Sequence, residues 1–380
     1  RARAGWWQHD NAWTSWVSPG SEAGPASRRP RPFIRRPSPE CARALLFLLT
    51  ANPGPAGYDG ERVPGHRLGW TSRRSAAPTW RIWRKKPRMA RTLDGTEISR
   101  VMRAEMAQDV AALQAAGVTP GLSVVLVGNN PASQAYVASK TRACESLGMR
   151  GQTLTLPEDV SKEALFAVID RLNADPSVHG ILVQLPLPAH LPYKAVLEHI
   201  HPAKDVDGFH PVNAGLAFVG DPRAFVPCTP AGIMEMLRRE DIPTRGKHVV
   251  IVGRSLIVSK PLASLLMAPG PDATVTITHR HTPDLASFTR QADILIVAVG
   301  KQNLITADMV KPGVVVIDVG QNRVSDASSP RGYRMVGDVD FDAIQPIASA
   351  ITPVPGGVGP MTITMLLANT LQAARQTQAR

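Results

Sequence analysis

Short runs of β-branched and aliphatic residues, each closed by glycine or proline, constrain this chain more than any other feature. The first is a strand over 123–128, built on Val124-Val-Leu-Val127 and ended by Gly128-Asn-Asn-Pro131. Residues 132–147 then take helical spacing. Gln152–Leu156 is a short strand, and residues 161–173 form a helix with Ser161 as its cap. Gly180-Ile-Leu-Val-Gln-Leu-Pro-Leu-Pro188 is a third strand, ending in prolines. Strand, helix and strand in this order imply right-handed crossovers and a parallel sheet. Ahead of them, Ile98–Ala116 reads as a long amphipathic helix stopped by Gly117. A second series follows: His248-Val-Val-Ile-Val-Gly253, Thr274–His279, Ala292–Gly300 and Gly313–Gly320. Between the two series, a helix over 231–240 has Thr229 at its N-cap and Pro230 as its first residue. The fold class is α/β.

The formal net charge of +12 suggests a nucleic-acid binder, but its distribution removes that suggestion. The first 88 residues carry all of the excess, and from Met89 onward acids and bases are equal in number. All seven Trp also fall in this stretch, which is rich in Arg, Pro, Gly and Ser and lacks periodicity. Residues 1–88 are expected to be a disordered or mis-annotated extension ahead of a start at Met89. A transit peptide or a basic tail are the alternatives. Cys41, Cys144 and Cys228 show no paired or metal-binding spacing, which fits a reducing compartment. No run approaches transmembrane length. No nucleic acid, membrane or metal is expected as a partner, and the expected location is cytoplasmic unless residues 1–88 are a real transit peptide.

Several residues carry possible chemistry. Tyr136 and Lys140 are four apart on the helix after the first strand, so both project from one face. Open α/β sheets bind ligands at such strand ends. Gln184 is an amide in an apolar run, either a strand-end residue satisfied by backbone or a functional group. Asp205-Val-Asp207-Gly208 is either an Asp-rich turn or part of a site, with no third metal ligand nearby in sequence. Laid on G-x-G-x-x-G, the turn after the second series' first strand keeps only Gly253; Ser255 and Val258 fill the other places. Its context, strand then turn then helix, still suits a pyrophosphate. Arg280 stands at the next strand's end, where a fold using NAD commonly has an acid, and Arg254 lies in the turn. Guanidinium groups suit a 2′-phosphate, which favours NADP.

In their order these pieces resemble one family. Tyr136-Val-Ala-Ser-Lys140, Gly180–Pro188, Lys204-Asp-Val-Asp-Gly208, Pro227-Cys-Thr-Pro230, Val252-Gly-Arg-Ser255 and Pro353-Val-Pro-Gly-Gly-Val-Gly-Pro-Met-Thr362 are similar to motifs of the bifunctional methylenetetrahydrofolate dehydrogenase/methenyltetrahydrofolate cyclohydrolases. The resemblance runs from Met89 to the C terminus. It implies an N-terminal α/β folate domain (89–235 with 358–380) and a C-terminal Rossmann-type NAD(P)-binding domain (236–357), with the last helix returning to the first domain. It implies NADP-dependent oxidation of 5,10-methylenetetrahydrofolate and hydrolysis of the product to 10-formyltetrahydrofolate, in one-carbon metabolism and purine biosynthesis. It also implies a homodimer.

The resemblance further implies residue roles. Lys140, Gln184 and Asp207 would be catalytic. Tyr136, Leu185, Gly356, Gly357, Val358, Gly359 and Pro360 would bind the tetrahydrofolate derivative. Gly253, Arg254, Ser255, Arg280 and Gln321 would bind NADP. Two residues depart from the family pattern: Ser259 stands where Gly is common, and Gln321 where Ile is common. The competing readings are another NADP oxidoreductase, similar to shikimate dehydrogenases, and a basic nucleic-acid-binding protein.

Overall fold

A computed structural model describes residues 89–329 and 332–378. They belong to one compact unit, Arg84–Arg380. The expected character of residues 1–88 lies outside the described residues.

The chain opens with β1 (Arg91–Thr92) and α1 (Gly95–Ala115). Helix α1 begins three residues before Ile98 because Asp94 caps it, its side chain accepting from Thr96 N and Glu97 N. One stripe of α1 (Ile98, Met102, Met106, Val110 and Leu113) is buried, each such side chain stabilising by roughly 1.5–3 kcal/mol. Gly117 follows at φ +82, a left-handed turn that ends the helix.

A small parallel sheet comes next, made of β2 (Gly121–Val127), β3 (Arg150–Leu156) and β4 (Gly180–Val183) in the order β3-β2-β4. Its connections are α2 (Pro131–Ser146) and α3 (Lys162–Ala174), the latter capped by Ser161 as expected. Strand β4 is shorter than the apolar run suggests. Gln184 N still donates to Val125 O at 2.9 Å, but the prolines beyond it have no N–H to continue the ladder. Helices α4 (Tyr193–His199) and α5 (Pro211–Phe218) lead to α6 (Cys228–Arg239). Here the expected cap is wrong. Pro227 occupies the cap position without a side-chain bond. Thr229 sits inside the first turn, where its hydroxyl pairs with Thr362 Oγ1 at 3.0 Å.

The second series supplies β5 (His248–Val252), α7 (Ser259–Met267), β6 (Thr274–Thr278), α8 (Leu285–Thr289), β7 (Ile294–Val297) and β8 (Val315–Asp318). A hairpin of β9 (Asn322–Ser325) and β10 (Tyr333–Val336) follows, which the sequence pattern does not announce. Then come α9 (Phe341–Ile344), β11 (Ala350–Ile351) and α10 (Val358–Gln378). The large sheet runs β1-β11-β8-β7-β5-β6 with every pairing parallel. Arg91 and Thr92 pair with Ala350 and Ile351, so the first strand lies in the large sheet although residues 89–235 group together by sequence.

Helix α10 begins at Val358, earlier than the Pro/Gly run suggests. Pro360 falls in the first turn, where its missing N–H has no intrahelical partner to lose. The helix is buried along much of its length. Arg103 of α1 donates to Thr364 Oγ1 at 3.0 Å. Asn369 Nδ2 donates to Val206 O at 2.8 Å and Val226 O at 3.0 Å.

Candidate active site

Helix α2 sets the first part of the site. Asn130 caps it by accepting from Ala132 N at 2.9 Å, and Pro131 takes its first position. The helix then carries Tyr136 and Lys140 on one face, with the Lys140 ammonium 5.4 Å from the Tyr136 ring centroid. Lys140 is only 7% exposed. Its Nζ donates to Gln184 Oε1 at 3.0 Å. The amide is held in that orientation because Gln184 Nε2 donates to the Leu185 carbonyl at 2.6 Å. Gln184 thus meets both the backbone, as the strand-end reading has it, and Lys140, as the functional reading needs. Burial pushes the Lys140 pKa below the usual lysine value, opposed by the negative field of Asp207.

The two aspartates of the Asp205–Gly208 turn differ. Asp205 is buried and accepts from His210 N at 2.8 Å and Asn213 Nδ2 at 2.9 Å, so it shapes the turn. Gly208, at φ +77, leaves no room for a Cβ, which would lie 2.6 Å from Phe225 O. The half-buried Asp207 has its pKa raised to about 6 by desolvation, with Lys140 pulling it down and Asp205 pushing it up. Cys228, at the start of α6, is buried beside this pair. Burial and the neighbouring Asp207 raise its thiol well above the ordinary range. Among the described residues no cluster of three or more acidic, His or Cys residues is placed to hold a metal ion.

A cavity of about 630 Å³ opens from Tyr136. Its walls include the whole Pro353–Pro360 segment, with Gln321 and Asp318 from the end of β8 and Thr96 and Arg103 from α1. Gly356 sits at φ +104, and its carbonyl accepts from Thr96 N at 3.0 Å. A Cβ on Gly95 would collide with the Gly357 carbonyl, so two glycines let the loop dock on the start of α1. Gln321 Nε2 lies 3.1 Å from where a Cβ of Gly359 would stand. Asp318 is fixed by accepting from Gly320 N, Asp338 N and Val339 N, each at 2.9 Å. Lys140, Gln184 and Asp207 are not walls of this cavity; Tyr136 is the residue that joins them to it.

The residues expected to bind the dinucleotide sit on neighbouring strand ends. Gly253, at φ +122, donates to Thr278 O at 2.9 Å, and a Cβ there would strike the Ala298 carbonyl. Ser255 Oγ accepts from Val258 N at 3.1 Å and Ser259 N at 3.2 Å, ordering the entry to α7. Arg254 and Arg280 are exposed, and neither forms an ion pair among the described residues. Arg280 Nε donates to His281 Nε2 at 3.0 Å. A close-approach glycine, a helix entry ordered by Ser255 and two guanidinium groups without an ion pair fit the phosphates of NADP. Ser259, the departure from the family pattern, is buried, and its hydroxyl has no partner among the described residues.

The sequence reading missed Thr96, Arg103, Asp318 and Cys228. Cys228 stood within a quoted motif, Pro227–Pro230; the other three carried no local signal.

A parallel nucleotide-binding sheet beside a smaller α/β half, with a buried lysine next to the Tyr136 that lines a glycine-rich cleft, defines a dinucleotide-linked enzyme with its own substrate domain. Two family models match: the tetrahydrofolate dehydrogenase/cyclohydrolase catalytic domain over residues 93–207, and the NAD(P)-binding domain of the same family over residues 227–378. The chain is 56% identical over 291 residues to the bifunctional protein FolD of Geobacillus thermodenitrificans, covering 77% of this chain and 99% of that protein. It is 57% identical over 288 residues to that of Bordetella avium, covering 76% and 98%. Two solved structures are also similar. The Campylobacter jejuni FolD dehydrogenase/cyclohydrolase has 48% identity and a TM-score of 0.72, covering 75% of this chain and 98% of its own. The Trypanosoma brucei enzyme, solved with NADP cofactor and an inhibitor, has 41% identity and a TM-score of 0.74, covering 77% and 100%. The chain belongs to the tetrahydrofolate dehydrogenase/cyclohydrolase family.

Proposed function

We infer that this chain oxidises 5,10-methylenetetrahydrofolate with NADP and hydrolyses the resulting 5,10-methenyl compound to 10-formyltetrahydrofolate, at one cleft. The observation that carries this reading is the buried Lys140–Gln184 pair under the face of Tyr136, with Asp207 adjacent. NADP, when bound, accepts the hydride. For that step the protein's contribution is position: Tyr136 offers a flat face for the pterin and aminobenzoyl rings, and the 353–360 loop closes the other side. Asp207, ionised at neutral pH, accepts from the N–H edge of the pterin.

Hydrolysis needs protons moved as well as position. Water adds to the methenyl carbon and loses a first proton; as the C–N5 bond then breaks, N5 gains a proton and the remaining hydroxyl proton leaves to solvent, which makes the formyl C=O and releases one proton in total. Desolvation of Lys140 favours its neutral amine, which can take the first proton and return it as ammonium to N5. Gln184 orients the amine without adding charge. Leu185 lends its carbonyl to hold that amide, and Gly356, Gly357, Val358, Gly359 and Pro360 shape the substrate wall. Gly253, Arg254, Ser255 and Arg280 hold the cofactor phosphates, and Gln321 faces the reacting end of the cleft.

The assembly is a homodimer. The free edge of the large sheet at β6, with Ile277 38% exposed, supports this. No described helix is long and apolar enough to cross a membrane. The cytoplasm is the place of action, where folate one-carbon units feed purine synthesis. The test follows both reactions on the purified chain: cofactor reduction with methylenetetrahydrofolate, and loss of methenyl absorbance without cofactor. Activity in the first assay alone would remove the hydrolytic role.

A further inference from the structure

Among the described residues Arg103 is the one cationic side chain in the wall of the cleft, and no acid pairs with it. It lies two turns along α1 from Thr96, half-buried, on the same cavity as Tyr136 and Ser139. Its Nε donates to Thr364 Oγ1 at 3.0 Å, which fixes the plane of the guanidinium and leaves the two terminal nitrogens for another partner. No carboxylate among the described residues forms an ion pair with it. The nearest candidate by position, Asp318 in the same wall, is already engaged by three backbone N–H groups. Burial without a counter-charge lowers the Arg103 pKa. A protein that keeps a half-buried cation unpaired in a binding cleft leaves its desolvation uncompensated until an anion arrives.

The anion's source follows from what else enters the cleft. The residues assigned to cofactor phosphates, Gly253, Arg254, Ser255 and Arg280, are not part of this cavity. The remaining ligand is the folate. Its pterin and aminobenzoyl amide are neutral, and its reacting methenyl group is cationic. Its anionic groups are the carboxylates of the glutamyl tail. We propose that Arg103, held by Thr364, receives a carboxylate of the substrate's glutamyl tail in a forked, charge-assisted contact. The contact fixes how far the folate slides between Tyr136 and the 353–360 loop. Arg103 is a substrate-binding residue on this view and takes no part in bond making. The inference rests on the folate reading of the cleft.

The experiment compares two methenyl substrates, one with the glutamyl tail and one ending at the aminobenzoate, for the unmutated protein, Arg103→Gln and Arg103→Lys. A charge-assisted contact present in both ground and transition states acts on KM. Arg103→Gln should raise KM for the glutamylated substrate by roughly tenfold to a hundredfold, with kcat within about twofold. Arg103→Lys, which keeps the charge and loses the fork, should fall between. The tail-less substrate should show the same KM in all three proteins. An unchanged KM for the glutamylated substrate in both variants overturns the proposal, and so does an equal loss on both substrates in both variants. Failure of the unmutated protein on the glutamylated substrate would instead overturn the folate reading itself.

Discussion

The lysine site and the residues proposed for the dinucleotide solve different problems. At the lysine end the functional groups are buried or half-buried and cross-braced: Lys140 to Gln184, Gln184 to the Leu185 carbonyl, and Asp207 in the field of both Lys140 and Asp205. At the nucleotide end Arg254 and Arg280 stand in solvent, and what is fixed is backbone: Gly253 against Ala298, and the entry to α7 bonded to Ser255 Oγ. Burial is useful where a proton must move near neutral pH, because desolvation brings a lysine's pKa toward that range. It is unhelpful where a whole dinucleotide must dock and leave. There, exposed guanidinium groups give charge without a desolvation cost.

The sharpest way to break this contrast is Lys140→Met, which keeps the stem and removes the amine. Cyclohydrolase turnover should fall by on the order of 10²–10⁴. Hydride transfer should fall less, because Tyr136, Asp207 and the nucleotide residues are untouched. Gln184→Ala should lower both, since it frees the amine and the Leu185 carbonyl together. If Lys140→Met lowered both activities by one factor, the lysine would be a positioning contact and the proton argument would be lost.

At the nucleotide end, Arg280→Asp should reduce use of NADP by roughly tenfold to a hundredfold, through loss of a charge-assisted contact and added repulsion. Use of NAD should change little, since it has no 2′-phosphate. Measuring kcat/KM for both cofactors checks this. Equal kinetics with NAD and NADP in the unmutated protein would remove the role given to Arg254 and Arg280.

A third effect is one of pH. The Asp207 carboxyl is raised to about 6, so it is ionised above that pH and becomes protonated as the pH falls through it. Losing the acceptor should lower dehydrogenase kcat/KM by roughly tenfold from pH 7 to pH 5. Asp318, in the cavity wall, is also raised to about 6 by burial, so the limb needs assignment. Asp207→Asn should abolish the acid limb. Persistence of the limb in that variant would move its origin to Asp318.

What the sequence made legible was local. Tyr136 and Lys140 share a face because the helix repeat puts them there. The parallel sheets follow from β-branched runs closed by glycine, and NADP from an arginine where an acid is usual. Resemblance to a family, rather than spacing, brought Gln184 and Asp207 to Lys140, since β4 and the Asp205–Gly208 turn meet α2 only in three dimensions. Arg103 and Asp318 stayed hidden for the same reason, since their cavity joins segments from α1 to the 353–360 loop. Thr229 was misread because a threonine before a proline looks like a cap, whereas its hydroxyl is taken by Thr362 on α10. Two-residue β1 has too little pattern to reveal that it completes the large sheet.

The smallest expected effect concerns Ser259, and it tests how finished the nucleotide end is. Its backbone N–H is satisfied by Ser255 Oγ at 3.2 Å, but its own hydroxyl is fully buried with no partner. An unpaired buried hydroxyl costs about 1–3 kcal/mol. Ser259→Ala keeps the Cβ and removes only that oxygen, so it should stabilise the protein by about 1 kcal/mol, seen as a higher urea midpoint with an unchanged slope. Ser259→Gly should gain less, because glycine gives back roughly 0.5–1 kcal/mol in backbone entropy within a helix. Adding NADP to the unmutated protein and to Ser259→Ala should then raise both melting temperatures equally. A smaller rise in the variant would mean that the hydroxyl finds its partner in the cofactor complex. Ser259 would then belong with Gly253 and Ser255 as part of the phosphate site, and the nucleotide end would hold one buried functional group after all.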